Sequence, residues 1–567
     1  MSNSHPPPKL ATFAILVGCA TLLAHPVRAH ISGITTDPAS ANGKTFDYIV
    51  VGGGTAGTTV AARLAENPTL TILMVEVGGD NRTNPDIYNV LNSAKPQNGP
   101  LDWAWPTDHG KVIHGGKTLG GSSSINGADW TRGLAAQYDA FSELLEPEEA
   151  SVGWNWDNLF SYMKKAEGFS APDAQQRAKG ADSIASYHGV HGPVQATYPN
   201  SMFGGPQQKA FVDTIVNLTG IAHFKDLNGG NPNCVSITPS SINRHADDHR
   251  SSSIEAYYTP VENRRRGWTL LIHHLVTKVL FSGTSAPYTA TGVEFAASDG
   301  SGSRYEAFAR REVIVSAGTI QTPTVLQHSG IGDYEVLSPL GIDTLIDLKS
   351  VGKNLQEQTF SLLKAQGNGF NPDGDGPSDV FAFPNIYQLF GDKVAAAVRT
   401  VQSSIVSWAE SQAGPGSSAE ALRTVYQIQA DLIVKHNAPI AEVEYGLPSG
   451  SPSGSPSGPP SDALSIGEIS PGLTAVPDDG DGGSDADWKE WIMQPGIAGF
   501  AAVGHPVGTA AMMRRSLGGV VDAHLKVYDT TNLRVVDASI IPIQLSAHPT
   551  SSLYGIAEKA ADIIKAV

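Results

Sequence analysis

The chain has 567 residues, 40% of them hydrophobic and 16% charged, and carries a formal net charge of −17 at pH 7. That length exceeds one ordinary core and predicts at least two domains sharing an interior. The acidic balance argues against a nucleic-acid partner or an anionic membrane surface, and fits a soluble enzyme acting on a small neutral molecule.

At the N-terminus, Lys9 precedes an apolar run from Leu10 through Ala24, followed by Val27-Arg28-Ala29. A basic start, a short apolar run and small residues at a cleavage position predict a signal peptide over residues 1–29, and hence secretion without later membrane attachment. The run is shorter than the roughly 20 apolar residues that a spanning helix needs. Cys19 lies inside this segment, so Cys234 is the one cysteine of the mature chain and is expected as a buried hydrophobe. In a secretory compartment, Asn81-Arg82-Thr83 and Asn217-Leu218-Thr219 become candidate glycosylation sites.

Next come a predicted buried strand, Phe46–Val51, a helix, Thr55–Ala65, with Ala, Val and Leu on one side, and a second strand, Leu70–Val75. This βαβ order predicts a parallel sheet with a right-handed crossover. Its turn, Gly52-Gly53-Gly54-Thr55-Ala56-Gly57, carries the G-x-G-x-x-G spacing. Gly52 permits the tight turn, Gly54 lets a pyrophosphate approach the backbone, and Gly57 lets helix and strand pack closely. Thr55 and Ala56 open a helix whose free N–H groups can meet phosphate. Glu76 follows the last glycine by about 20 residues, where a carboxylate can accept from ribose hydroxyls. Together these residues predict dinucleotide binding without distinguishing NAD from FAD.

Strand-like runs recur at Trp268–Val279, Tyr305–Val315 and Asn532–Val536, and Ser551–Val567 has helical spacing. Sheet-forming pieces thus fall in three blocks. We expect a nucleotide-binding domain over 44–150, 228–345 and 497–567, and a substrate domain over 151–227 and 346–496. Leu447–Asp462 is almost continuous Pro, Ser and Gly, and Asp478–Asp487 is acidic and Gly-rich, so 447–487 is expected as flexible surface connection.

Two longer segments choose the cofactor. Gly116-Lys117-Thr118-Leu119-Gly120-Gly121-Ser122-Ser123-Ser124-Ile125-Asn126-Gly127, running on to Asp139, resembles the first signature of the glucose-methanol-choline (GMC) oxidoreductases, and Gly318 through Gly332 resembles the second. The resemblance covers most of the chain after Lys44, and near Trp130 and Trp154 it is similar to the branch of secreted fungal enzymes that includes glucose oxidase. It implies an α/β fold, α+β overall: a Rossmann-like FAD domain and a substrate domain on an antiparallel sheet. It further implies that Leu119, Gly121, Ser122, Asn126, Gly127 and Ala128 line the flavin and its pyrophosphate. By the same resemblance Val276 meets the adenine side, and Asp537 and Ala538 meet the pyrophosphate and ribityl chain.

The block Gly504-His505-Pro506-Val507-Gly508-Thr509 matches the family segment carrying a base, and Ser546-Ala547-His548-Pro549-Thr550 matches the segment carrying its partner. Alcohol oxidation requires loss of a hydroxyl proton as hydride leaves carbon, and a neutral imidazole can take that proton. His505 is the expected base, and His548 is expected to hydrogen-bond the same hydroxyl. Pro549 suits a first helical turn, and the helix from Thr550 would point its positive end at the flavin. No metal is expected. Oxygen or a quinone would reoxidise the cofactor, and oligomeric state is left open.

Two departures from the family bear on substrate. The stretch 445–487 is short and of low complexity where relatives have strands, which removes part of the expected pocket wall. Phe500-Ala501-Ala502-Val503 stands where sugar-specific relatives usually carry an arginine, which favours an aromatic, furan-like or secondary-metabolite primary alcohol over a sugar. Glu357-Gln358 also replaces the Asp-His usual in relatives. The alternatives are a hydroxynitrile-lyase-like flavoprotein without redox turnover and an inactive FAD-binding relative.

Overall fold

The computed structural model describes residues 33–200, 202, 206–361, 364–366, 380–446, 463–466, 484–494 and 499–566. The expected signal peptide and most of 447–487 lie outside the described residues. Among those described, no helix is long and apolar enough to cross a membrane.

The principal sheet has nine strands. Ile34–Thr35, Trp268–Ile272, Ile72–Glu76, Thr45–Val51 and Tyr305–Val315 lie side by side and parallel. Tyr305–Val315 then turns the sheet antiparallel through Tyr288–Ala297 to His274–Ser282. A register shift between Ala309 and Glu312 divides the long strand. Its first half pairs with Tyr288–Ala297 and its second with Leu533–Val535, so the C-terminal block returns into the same sheet.

The apolar run expected as one strand over Trp268–Val279 is two strands, Trp268–Ile272 and His274–Ser282. His273 between them has φ +59° and donates its N–H to the carbonyl of Gly78. That left-handed residue breaks the strand, and the chain leaves one sheet partner for another. Apolar periodicity marks burial but cannot show such a break.

Thr55–Leu64 is buried at nine of its ten positions, because Ala, Val, Thr and Gly let it sit between the sheet and the C-terminal helix Thr550–Lys565. A buried ion pair links these helices: Glu558, fully buried, accepts from Arg63 at 2.6 Å and from the Tyr257 hydroxyl at 2.7 Å. The second sheet is antiparallel, in the order Lys364–Gln366, Ala463–Ile466, Val443–Gly446, Val380–Ala382 and Val235–Ile237. Val235–Ile237 belongs by pairing to this sheet, although it falls within the 228–345 block. Inside 447–487, expected as flexible, Ala463–Ile466 is a strand with partners on both sides. The helix Asp485–Ile492 also begins before that stretch ends, capped by Ser484, whose hydroxyl accepts from the Asp487 N–H. Cys234 is free and buried, and burial pushes its thiol up to about 12, so it behaves as a small hydrophobe. Asn217 is exposed on Pro206–Thr219, whereas the Asn81 amide is engaged with the Thr118 hydroxyl at 2.9 Å.

Candidate active site

A cavity of about 2020 Å³ opens at the carboxyl ends of the parallel strands, where Val51, Val75, Glu76 and Ser316 line it. That is where ligands bind in open α/β sheets, and the volume exceeds the roughly 300–1,000 Å³ of a pocket for one small ligand. Room for a dinucleotide and a substrate together follows.

The dinucleotide end is built from bare backbone. Gly52 has φ +101°, and a Cβ there would lie 2.4 Å from the Ser316 carbonyl. At Gly57 a Cβ would meet the Gly52 carbonyl at 2.1 Å, which is the close helix–strand approach the spacing predicts; Gly57 packs behind the cavity rather than lining it. Gly121, at φ +54°, would press a Cβ to 2.7 Å from the Cα of Gly54, so the two glycine loops touch through main chain alone. A Cβ at Gly54 itself meets no protein atom closer than 3.9 Å, which leaves open space over the helix N-terminus. Gly54 caps that helix without a side-chain bond, and Thr55 and Ala56 line the cavity. This donor set fits an anionic pyrophosphate.

Gly52, Gly54, Glu76, Gly121, Ser122, Asn126, Gly127, Ala128, Val276, Asp537, Ala538, Pro549 and Thr550 line the cavity. Leu119 does not: it is 2% exposed and packs beneath the loop, with Cδ2 3.0 Å from where a Gly53 Cβ would stand. Its apolar side chain supports the glycine turn from below. Pro549 is the N-cap, and the helix starts at Thr550. Glu76 accepts from Gly53 N–H at 2.7 Å and from Gly78 N–H at 2.8 Å, so it also fixes the turn; burial pushes it up to about 7 against those bonds. Asp537 is spent on protein donors, accepting from Gly318 N–H, Ser539 N–H and the hydroxyls of Thr322 and Ser539. Its carboxylate locks the Gly318–His328 helix start to the end of Leu533–Val535. The Asn126 side chain accepts from Arg250 at 2.6 Å and from Ala128 N–H at 3.1 Å, and donates to Thr550 at 3.3 Å.

His505 and His548 meet at the other end, their rings perpendicular with centroids 5.1 Å apart. Their surroundings differ. His505 Nδ1 lies 2.7 Å from Gln358 Oε1, and its backbone N–H donates to Glu357 at 2.9 Å. Burial, then repulsion from His548, hold its pKa well below the usual imidazole value. Burial would lower His548 too, but Glu442, Asp129 and Glu444 outweigh it and raise its pKa. Its Nε2 is 3.5 Å from Glu442 and 3.9 Å from Asp129. Thr131 holds the other side, its hydroxyl 3.1 Å from Nδ1 and accepting the His548 N–H at 2.8 Å. The surroundings therefore bias His505 toward the neutral form and His548 toward the charged one.

Thr131, Asp129, Gln358, Glu357, Glu442 and Glu444 surround the two histidines and are not marked as site residues by the sequence motifs. Glu442 and Glu444 alternate in Glu-Val-Glu, a period-2 signal that places both on one face of a strand. Thr131 and Asp129 flank Trp130 inside the first signature, and Glu357-Gln358 was visible as a departure.

Beneath Thr131, Glu167 accepts from Trp130 and Arg132 at 2.7 and 2.8 Å and meets His188 Nδ1 at 2.9 Å. His188 Nε2 lies 2.9 Å from Asp226. This buried network anchors the loop that carries Thr131.

Two family models match the chain, both described as GMC oxidoreductase, over residues 46–360 and 416–557. The chain is 34% identical to "glucose oxidase-like protein fsoC" of Humicola fuscoatra, over 92% of this chain and 95% of that one. It is 32% identical to a glucose oxidase of Aspergillus carbonarius, over 98% of both. Among solved structures, an FAD-dependent oxidoreductase from Chaetomium thermophilum superposes with TM-score 0.77 at 25% identity, covering 92% of this chain and 99% of that one. A fungal aryl-alcohol oxidase shares the fold, with TM-score 0.76 at 24% identity, covering 92% and 98%.

Proposed function

This chain belongs to the GMC oxidoreductase family and is an FAD-dependent oxidoreductase acting on CH–OH groups, and from that premise we propose that it oxidises a primary alcohol of aromatic or furan-like character to the aldehyde, with His505 as the base. FAD, when bound, supplies the acceptor for the hydride. The glycine cradle, Glu76 and the free N-terminus of Thr55–Leu64 would hold its adenosine and pyrophosphate. Val276 would border the adenine, and Ala538, Pro549 and Thr550 the flavin side.

His505 takes the hydroxyl proton at Nε2, which has no hydrogen-bond partner among the described residues. His548, kept toward its charged form by Glu442 and Asp129, orients the hydroxyl and stabilises negative charge on its oxygen. One observation carries the substrate class: Phe360, Val503 and Ile440 line the same cavity as the two histidines. Phe500–Ala502 pairs with Thr359–Ser361, and of the run Phe500–Val503 it is Val503, two residues before His505, that lines the cavity. Among the described residues, the one arginine that lines the cavity, Arg304, stands by Gly300 and Glu294, away from the histidines.

A sugar is the second reading, favoured by the carboxylates Asp129, Glu442 and Glu444, which can accept from several hydroxyls, and by the likeness to glucose oxidases. Anaerobic mixing of the flavin-loaded protein with benzylic, furanic and sugar alcohols separates the two. We expect bleaching to be fastest with the benzylic and furanic alcohols; preference for the sugar overturns the substrate class. Air admission then distinguishes oxygen from a quinone as acceptor. The apolar run Leu10–Ala24 supports placing this enzyme in the secretory pathway.

A further inference from the structure

We infer that Gln358 locks His505 in the tautomer that carries its proton on Nδ1, making Gln358 a positioning residue for proton removal. The inference rests on the reading of His505 as base and goes one step deeper, to the nitrogen that acts. A side-chain amide has a donor end and an acceptor end, and either can face an imidazole nitrogen unless something fixes it. Here the Leu545 carbonyl does so. It lies 2.8 Å from Gln358 Nε2 and can only accept, so the amide nitrogen must face it. Gln358 Oε1 is thereby turned to His505 Nδ1 at 2.7 Å. An amide oxygen can only accept, so Nδ1 must donate. In the neutral ring the lone pair then resides on Nε2, the nitrogen free to face the cavity.

Two further features fit this assignment. The His505 main chain is fixed independently, its N–H donating to Glu357 Oε1 at 2.9 Å and its carbonyl accepting from Gln544 at 3.0 Å, so the ring pivots only about its side-chain torsions. Gln358 is also uncharged. A carboxylate at this place would stabilise the imidazolium and hold the base protonated to higher pH, whereas the amide fixes the tautomer and leaves the ring neutral. The charged or titratable groups nearest the ring are Glu357, which faces its backbone N–H, and His548, itself bordered by Glu442, Asp129 and Glu444. None of them reaches Nδ1. A histidine at 358 could have been donor or acceptor; a glutamine with one end pinned has a single option.

The test uses the FAD-loaded full chain. Nitrogen-15 NMR of histidine-labelled protein, with the His505 signals identified by their loss in His505→Ala, reads the tautomer directly. We expect a protonated Nδ1 and a bare Nε2; the opposite pattern overturns the inference whatever the kinetics. In Gln358→Met, of similar length but with neither hydrogen bond, we expect the Nδ1–H preference to be lost. Anaerobic flavin reduction at saturating alcohol should slow by roughly tenfold or more, with FAD content and the half-saturating alcohol concentration little changed. Unchanged tautomer and rate in a folded Gln358→Met protein also overturn it. If His505→Ala reduces flavin at full speed, the base assignment fails, while the NMR pattern still decides the tautomer.

Discussion

The two ends of the cavity are made of different material. The dinucleotide end is bare main chain, with Gly52, Gly54, Gly57 and Gly121 brought so close that added Cβ atoms at three of the four would collide with backbone. The end proposed to react is made of side chains, in which two imidazoles face opposite partners, an amide for one and carboxylates for the other. A cradle for an invariant pyrophosphate needs space and N–H groups, whereas a reacting centre needs distinct protonation states. Glycine supplies the first, and electrostatic surroundings supply the second.

Damage to the two ends should therefore differ in kind. Gly121→Val places side-chain atoms on the Gly54 main chain and puts a branched residue at φ +54°. We expect a protein without flavin absorbance, destabilised by about 2 kcal/mol or more, as measured by cofactor content and thermal unfolding. Full flavin occupancy in this variant would dissolve the contrast. At the other end, Thr131→Val removes both hydrogen bonds that Thr131 makes with His548, and anaerobic reduction should slow by about tenfold with FAD retained.

A finer probe is Glu442→Gln. The carboxylate favours imidazolium at His548, so its loss should move the corresponding limb of the pH–rate profile to lower pH, partly, because Asp129 and Glu444 remain. A limb that moves upward would reverse the electrostatic assignment. The smallest effect is expected at His188. Burial would lower its pKa, but the hydrogen bonds to Asp226 and Glu167 outweigh burial and raise it above its ordinary 6.5. A raised folded value adds stability that is fully present below 6.5 and is lost as pH rises through the folded value. Urea unfolding of wild type from about pH 6 to 8 should show that loss, and His188→Gln should give a flatter curve.

The same contrast explains what the sequence revealed. The first part of the cradle is local: six residues from Gly52 to Gly57 between a strand and a helix are legible in order, and Glu76 follows them, while Gly121 joins from a separate glycine-rich loop. The two histidines proposed to react are legible as matched blocks, but their environments come from afar. Thr131 reaches His548 across 417 positions and Gln358 reaches His505 across 147, and no periodicity encodes such meetings. Leu119 shows the limit of a motif, which gives adjacency in sequence: its apolar side chain is buried and is not among those lining the cavity beside its neighbours. The single run at Trp268–Val279 hid a reversal set by one left-handed residue, His273.

The most direct measurement is single-turnover anaerobic reduction of flavin-loaded His505→Ala beside wild type, using the fastest alcohol found. We expect a fall of about 100-fold or more with the oxidised flavin spectrum intact before mixing. Equal rates in the two proteins would contradict it, because the proton would then be leaving the alcohol by a route that does not involve this imidazole.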